Sequence, residues 1–273
     1  MWSVDGKTRD VQPTELNRRE ALGRIGGICA VVAATMLRYR RLLVAAVTAS
    51  GAGTVAGASC APIPQETAGP FPADGSNRTA AGIANALLLP GIVRSDIRSS
   101  LAGATGVARG VPLKLTLELV DARTGCTPLS GYAIYLWHCD AVGRYSMYTQ
   151  GVGAENYLRG VQISDAKGLV SFTTIVPGCY GGRMPHMHFE VYRDQASTRR
   201  PAGELHTSQL SFPLGMLDEV YASADYRDSA ANLARTSFAS DPVFSDGHDS
   251  QTCRVSGNVA TGYAAVLKVG VAV

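Results

Sequence analysis

Residues 186–192 of this 273-residue chain read HMHFEVY, and their alternation sets the fold class. Side chains at every second position of a β-strand share one face. One face of this stretch is polar or aromatic and consists of His186, His188, Glu190 and Tyr192. The other face is apolar and consists of Met187, Phe189 and Val191. The stretch therefore predicts a β-strand whose apolar face packs into a core.

Other stretches alternate in the same way, and turns rich in Gly, Pro and Asp separate them. In residues 113–120, four leucines alternate with Lys, Thr, Glu and Val, which is typical of a half-buried strand. The remaining predicted strands are Ala133 to Trp137, Leu169 to Ile175, Ser208 to Phe212 and Tyr263 to Val271. Short helices are predicted at Leu217 to Tyr221 and at Ser229 to Arg235. This pattern favours an all-β fold, an antiparallel β-sandwich with few short helices.

The two histidines of the predicted strand, His186 and His188, point the same way and lie close enough to share one ion. Neutral imidazole is the commonest metal-binding side chain. The alternative interpretation is a pair of surface histidines on a half-exposed strand. The surrounding residues bear on this choice.

Two tyrosines lie at predicted turns upstream of the histidines. Residues 137–145 read WHCDAVGRY and end in Tyr145, and residues 177–180 read PGCY and end in Tyr180. Arg183 lies three residues before the first histidine. A tyrosine beside a glycine turn is, taken alone, usually a surface aromatic.

In combination, these residues resemble the iron signature of the intradiol ring-cleavage dioxygenases, the family of catechol and protocatechuate dioxygenases. That signature is W-x-x-(D/N)-x-x-G-x-Y, then P-G-x-Y, then R-x-x-H-x-H, and all three occur here in this order. Residues 64–71, PQETAGPF, are similar to an N-terminal segment of the family. The resemblance covers roughly residues 60 to 270 and, in detail, is to the secreted, sandwich-only branch. It implies a sandwich with an intradiol dioxygenase or transthyretin-like core.

The resemblance also implies one Fe(III) per chain, held by four protein ligands. These ligands would be Tyr145, Tyr180, His186 and His188, with Tyr180 and His188 axial. Two phenolates and a hydroxide balance three positive charges, and a bound trivalent cation favours the phenolate form of tyrosine. A zinc site is instead expected to use His, Cys and carboxylate ligands.

The reaction follows from the same resemblance. A catechol-type ring would be cleaved by O2 between its two hydroxylated carbons to give a cis,cis-muconate-type product. The implied catalytic residues are Tyr180, which leaves the metal and takes a substrate proton, Arg183, which stabilises the negatively charged ring, and Gln209, which shapes the pocket. Which catechol is the substrate stays open.

Two other functions remain open at this point. One is an exported β-sandwich whose His-x-His pair binds copper or zinc. The other is an inactive, transthyretin-like binding module. Neither needs Tyr145, Tyr180 or Arg183.

Several other polar residues are left outside the expected catalytic set. Arg159 faces the pocket or is a surface or structural arginine paired with Asp165. Asp140 and His138 are expected to fix a loop. Two histidines match no ligand position of the family, His206 and His248.

The N-terminus resembles a twin-arginine export signal, with Arg18 and Arg19 before an apolar stretch. We therefore predict an export signal and linker at residues 1–60, an irregular arm at 61–110 and the catalytic sandwich at 111–273. Cleavage near Ala49 or Ala58 is expected. No apolar stretch of this region is a convincing bilayer span of about 20 residues, although a signal anchor is the alternative.

Charge gives no case for nucleic acid. The first 60 residues hold eight Lys and Arg against four Asp and Glu, which leaves 17 basic and 18 acidic residues in the rest. The expected partners are a small catechol and O2, and a homo-oligomer is possible.

Export makes disulfides plausible. Removal of the signal takes Cys29, so at most two bridges can form among the five other cysteines. These are Cys60, Cys126, Cys139, Cys179 and Cys253. Lipid attachment at Cys60 is an alternative fate for that residue, but the aliphatic residue usual three positions earlier is absent. Cys179 directly precedes Tyr180, and the effect of a thiol there on the pocket wall stays open.

Overall fold

The computed structural model describes residues 60–79, 82–200 and 202–273. They belong to a unit that spans Ala58–Val273. The predicted export signal therefore lies, but for Cys60, outside the described residues. Within the described residues, no helix is long and apolar enough to cross a membrane.

The elements of this part of the chain are mostly strands. The strands are β1 (Asp74–Thr79), β2 (Gly82–Asn85), β3 (Pro112–Asp121), β4 (Thr127–Pro128), β5 (Ala133–Trp137), β6 (Arg159–Ile163), β7 (Leu169–Ile175), β8 (His186–Tyr192), β9 (Glu204–Ser211), β10 (Arg254–Asn258) and β11 (Gly262–Val271). The α-helices are α1 (Leu214–Tyr221) and α2 (Arg227–Leu233). The predicted all-β class is confirmed.

Two sheets form the sandwich. One is four-stranded and antiparallel, in the order β6-β5-β8-β9. The other has the order β10-β11-β3-β4, with β7 also paired to β3. The β3–β11 pair is parallel, an exception to the predicted antiparallel pattern.

The main core lies between the sheets. It contains the four leucines of β3 together with the apolar face of β8. That face is Met187, Phe189 and Val191, as the alternation predicts. The core thus holds β8 by the side opposite to its histidines.

The other face of β8 is also buried, which the sequence did not indicate. The arm covers it, because Ala73, Leu87 and Ile92 pack in one cluster with Tyr192 and with the aromatic residues of β5. Only 1% of His186 and 3% of His188 is exposed to solvent. The interpretation of the pair as surface histidines is therefore wrong.

The arm itself is less irregular than predicted, since it contains the β1–β2 hairpin and isolated bridges to β6 and β7. A disulfide joins Cys60 to Cys126 and ties the start of the arm to the segment between β3 and β4. Three further cysteines are free and buried, namely Cys139, Cys179 and Cys253. One of the two possible bridges is therefore formed.

Candidate metal centre

Strand β8 places the two histidines at the end of the four-stranded sheet. Its register pairs His188 with Trp137 of β5 on one side and with Gln209 of β9 on the other. The Trp137 ring stacks on the His188 imidazole, with ring centres 5.0 Å apart and planes 5° apart. The Trp137 ring therefore fixes the plane of the His188 imidazole.

The two tyrosines come from loops that a helix holds together. Ser229 of α2 donates a hydrogen bond to the carbonyl of Ala141 in one loop and accepts one from the amide of Cys179 in the other. The two loops carry Tyr145 and Tyr180 to the same side of the sheet, where their rings meet edge to face.

Four donor atoms converge at this point. The Tyr145 hydroxyl lies 3.4 Å from His186 Nε2 and 3.3 Å from His188 Nε2. The Tyr180 hydroxyl lies 3.0 Å from His186 Nε2 and 3.4 Å from the Tyr145 hydroxyl. The two Nε2 atoms are 3.1 Å apart. The structure thus brings together all four residues that the sequence predicted as ligands.

The spacing of these atoms fits one metal ion. Nitrogen and oxygen ligands at about 2.0–2.1 Å from an ion lie about 2.9–3.4 Å from each other at right-angled or tetrahedral positions. All five distances fall in this range. No group of three or more His, Cys, Asp or Glu side chains is placed to hold an ion in the described ranges, so a site here depends on the tyrosines.

The histidine nearest the arginine is oriented as metal ligands usually are. Its Nδ1 lies 2.6 Å from the carbonyl oxygen of Met184, which can only accept, so Nδ1 donates and Nε2 of His186 presents its lone pair. Such a second hydrogen bond commonly fixes the tautomer of a ligating imidazole. Nδ1 of His188 has no hydrogen-bond partner of good geometry in the described residues.

Burial sets the protonation of all four side chains in the absence of an ion. Desolvation lowers the pKa of His186 to about 3, and it lowers the pKa of His188 well below its usual value. Desolvation also raises the pKa of Tyr180 to about 12 and that of Tyr145 well above 10. The imidazoles are therefore neutral and ready to coordinate, whereas the phenols need a cation to ionise.

Arg183 lies beside this cluster and is clamped by two partners. Its Nε lies 3.0 Å from a carboxylate oxygen of Asp241, and its Nη2 donates to Gln209 Oε1 at 2.7 Å. Its Nη1 lies 3.5 Å from His186 Nε2. Gln209 in turn donates to the carbonyl of Thr67 in the arm. Sequence reasoning named Arg183 and Gln209 but missed Asp241, which lies 58 residues from Arg183 and belongs to no recognisable motif.

Arg159 is a structural residue. It is fully buried and donates to the carbonyls of Phe71, Pro72 and Ser146. The predicted pairing with Asp165 is wrong, because that carboxylate is exposed and accepts from the amides of its own turn.

Asp140 and His138 lie in the loop that follows β5. Asp140 accepts from the amide of Arg144 and pairs with its side chain, so it fixes the loop before Tyr145 as predicted. His138 lies between the Cys139 carbonyl and the Thr174 hydroxyl. Cys179 is buried in the main core. The two remaining histidines lie elsewhere, since His206 of β9 pairs with Val191 of β8 and His248 stacks on Phe238.

Part of the sequence and the fold are similar to those of known proteins. A family model described as Dioxygenase matches residues 96–211, which include β3 to β9 and all four donor residues. The comparison with curated proteins gives no match.

Among solved structures, an intradiol ring-cleavage dioxygenase from Tetranychus urticae has a TM-score of 0.57 and 23% identity, over 78% of this chain and 94% of that chain. The dioxygenase domain of a carbohydrate-binding fusion protein from Streptomyces has a TM-score of 0.48 and 22% identity, over 78% and 99%. A hydroxyquinol 1,2-dioxygenase from Pseudomonas putida has a TM-score of 0.45 and 17% identity, over 84% and 70%. At 23% identity and a TM-score of 0.57, the first similarity shows a shared fold. The other two structures have TM-scores below 0.5.

The matched range holds the donor cluster, and the shared fold is the one that the motifs of the sequence predict. Residues 96–211 thus match the family model described as Dioxygenase, and the chain has the fold of the intradiol ring-cleavage dioxygenase from Tetranychus urticae.

Proposed function

We propose that the chain is a non-haem Fe(III)-dependent intradiol dioxygenase. It would cleave a catechol-type ring between the two hydroxylated carbons with O2 and release a cis,cis-muconate-type product. The observation that carries this proposal is the convergence of two phenol oxygens and two imidazole nitrogens at mutual distances of 3.0–3.4 Å. The family match over residues 96–211 supports the same class of reaction.

Tyr145, Tyr180, His186 and His188 would hold one Fe(III), which a catechol would chelate through its two oxygens and which would activate the ring toward O2. The donor set favours this ion over zinc or copper, because two buried phenols become anionic only beside a strong positive charge. A copper or zinc site on the histidines, or an inactive binding module, leaves the position of both tyrosines without a role.

Tyr180 is suited to take a proton from the substrate. Its side chain is partly exposed, whereas only 1% of Tyr145 is exposed. Its raised pKa means that a phenolate here is a strong base. A tyrosine at the solvent side can therefore move and accept a proton while the buried one stays in place.

Arg183 is suited to stabilise negative charge on the bound ring. The guanidinium has three nitrogen positions, and two of them are occupied by Asp241 and Gln209. The third, Nη1, faces the donor cluster. A preorganised cation aimed at developing charge can contribute about 3 kcal/mol to the transition state.

The test is the visible spectrum of the purified, iron-loaded protein. Tyrosinate bound to Fe(III) gives a charge-transfer band, and the proposal predicts that catechol shifts it. A colourless protein that is fully loaded with metal would contradict the proposal.

Export through residues 1–60 remains a separate proposal, since these residues lie almost wholly outside the described ones. Disulfides such as Cys60–Cys126 persist in oxidising compartments, which supports export. The same sulfur cannot carry both a disulfide and a lipid, so we do not propose lipid attachment at Cys60. Fractionation of expressing cells, with and without Arg18 and Arg19 replaced by lysine, tests export.

A further inference from the structure

Asp241 is a buried carboxylate with an unusually complete set of donors. It is fully buried and follows a short 3-10 helix, Phe238–Ser240. Arg183 Nε lies 3.0 Å from Oδ2, and the Met184 amide lies 2.6 Å from the same oxygen. Amides of Val243 and Phe244 donate to Oδ1 at 2.8 and 3.2 Å. A buried charge that is paired and hydrogen-bonded in this way has a defined position.

The contact with Arg183 decides which way the guanidinium points. Asp241 holds the Nε edge, and Gln209 holds Nη2, so Nη1 is the nitrogen left to face His186 Nε2. Without the carboxylate, the arginine side chain is anchored only at its tip by an uncharged amide. Asp241 therefore fixes the direction of the positive charge relative to the donor cluster.

The contact with Met184 reaches the cluster by a second route. The Met184 amide donates to Asp241, and the Met184 carbonyl accepts from His186 Nδ1 at 2.6 Å. One peptide unit thus links the carboxylate to a candidate ligand. The Phe244 ring, three residues after Asp241, also packs against the His186 imidazole.

From these contacts we propose that Asp241 is a positioning residue of the reaction centre, which orients Arg183 toward the substrate and His186 toward the ion. This inference rests on the proposed function. The Asp241 carboxylate bonds to Arg183 and to the Met184 amide, so it acts through Arg183 and His186. A buried ion pair is often only structural, and the experiment must separate the two roles.

The experiment is a double-mutant cycle on the iron-loaded protein, with Asp241→Asn, Arg183→Gln and the double variant. Arg183→Gln should lower kcat by about 100-fold, as for loss of one preorganised donor. Asp241→Asn should lower kcat by about 10-fold to 100-fold with little change in KM, because a misplaced group loses orientation. The kcat of the double variant should lie within about twofold of the kcat of Arg183→Gln, because the effects of substitutions within one hydrogen-bonded network do not add.

The second readout is iron retention, measured as loss of the metal to excess chelator. Changes beside a ligand typically cost about 10-fold to 100-fold in metal affinity, so Asp241→Asn should release iron about 10-fold faster. The matched control is Asp246→Asn, the same chemical change at an exposed position five residues later. The control should keep the wild-type kcat and iron-release rate.

Each outcome has one meaning. If Asp241→Asn is folded and keeps both the kcat and the iron-release rate, the positioning role is overturned while the dioxygenase function stands. If the effects of the two single variants on kcat multiply, orientation of Arg183 by Asp241 is overturned, and the iron-release rate then decides on the route through His186. If Asp241→Asn does not fold, Asp241→Glu keeps the charge but displaces it, and a wild-type kcat in that variant overturns the role. If the wild type shows no turnover, the proposed function fails, and iron retention alone then decides on Asp241.

Discussion

The Nε2 atoms of His186 and His188 lie 3.1 Å apart and face each other. The Met184 carbonyl fixes the proton of His186 on Nδ1, so its Nε2 can only accept a hydrogen bond or bind a cation. Burial keeps both imidazoles neutral at physiological pH. An ion between the two nitrogens and the two phenols would satisfy all four atoms at once.

Removal of the ion should therefore destabilise the protein. An ion at about 1,000 times its dissociation constant stabilises the folded state by about 4 kcal/mol. For a domain of this size, loss of this stabilisation lowers the Tm by roughly 10 °C. Calorimetry before and after iron removal, and again after reloading, measures the change. An unaltered Tm would contradict binding at a buried site.

Binding of the ion should release phenolic protons. Near pH 7, both tyrosines hold their protons because their pKa values are raised, and neither histidine holds an extra one because their pKa values are lowered. About two protons per ion should therefore be released from the protein, and iron affinity should rise with pH. Titration calorimetry in buffers of different ionisation enthalpy counts all released protons, and a hydroxide formed from water on the ion would add one to these two. Tyr145→Phe should release one fewer, and equal release would exclude Tyr145 as a ligand.

Replacing Tyr145 with phenylalanine should bleach or shift the visible band of the iron form. The change removes one of two anionic donors, so iron affinity should fall by about 100-fold or more, beyond the usual effect of outer changes. Tyr221→Phe is the matched control, because that buried hydroxyl donates to the Pro177 carbonyl and takes no part in the cluster. A band that responds equally to both variants would contradict the assignment.

Replacement of Arg159 should lower the free energy of unfolding of the protein. Arg159→Met leaves the carbonyls of Phe71 and Ser146 without a donor, whereas the Pro72 carbonyl keeps the Tyr135 hydroxyl, and the expected cost is about 3 kcal/mol. Urea unfolding gives the free energy. Arg98→Met removes only an exposed pair with Asp96 and should cost less than about 1 kcal/mol. Equal effects of the two variants would argue against the structural role of Arg159.

Apolar patterning predicted three strands with their bounds. β5, β7 and β8 begin and end where the sequence indicates, because alternate apolar residues of each pack into the main core. β6 and β10 were missed for opposite reasons: β6 begins with a buried arginine and a glycine, and β10 is mostly exposed. The parallel pairing of β3 with β11 leaves no local signal, since a strand alternates alike in either direction.

The site was predictable where its residues lie in short motifs. The two loops and β8 each carry a recognisable spacing, and the structure brings their side chains together. Asp241 and Arg159 were not predictable in their roles, because each acts across the fold on partners far away in sequence. Burial of the histidine face likewise depends on the arm, which shows little periodicity.

Turnover of catechol under ¹⁸O₂ shows at which bond the ring is cleaved. We expect a ring-opened dicarboxylic acid of cis,cis-muconate type that contains both labelled oxygen atoms, formed by the iron-loaded protein and not by Tyr145→Phe. A ring-opened semialdehyde, a product with only one label, or no product from a fully iron-loaded protein across a panel of catechols would contradict the proposed function.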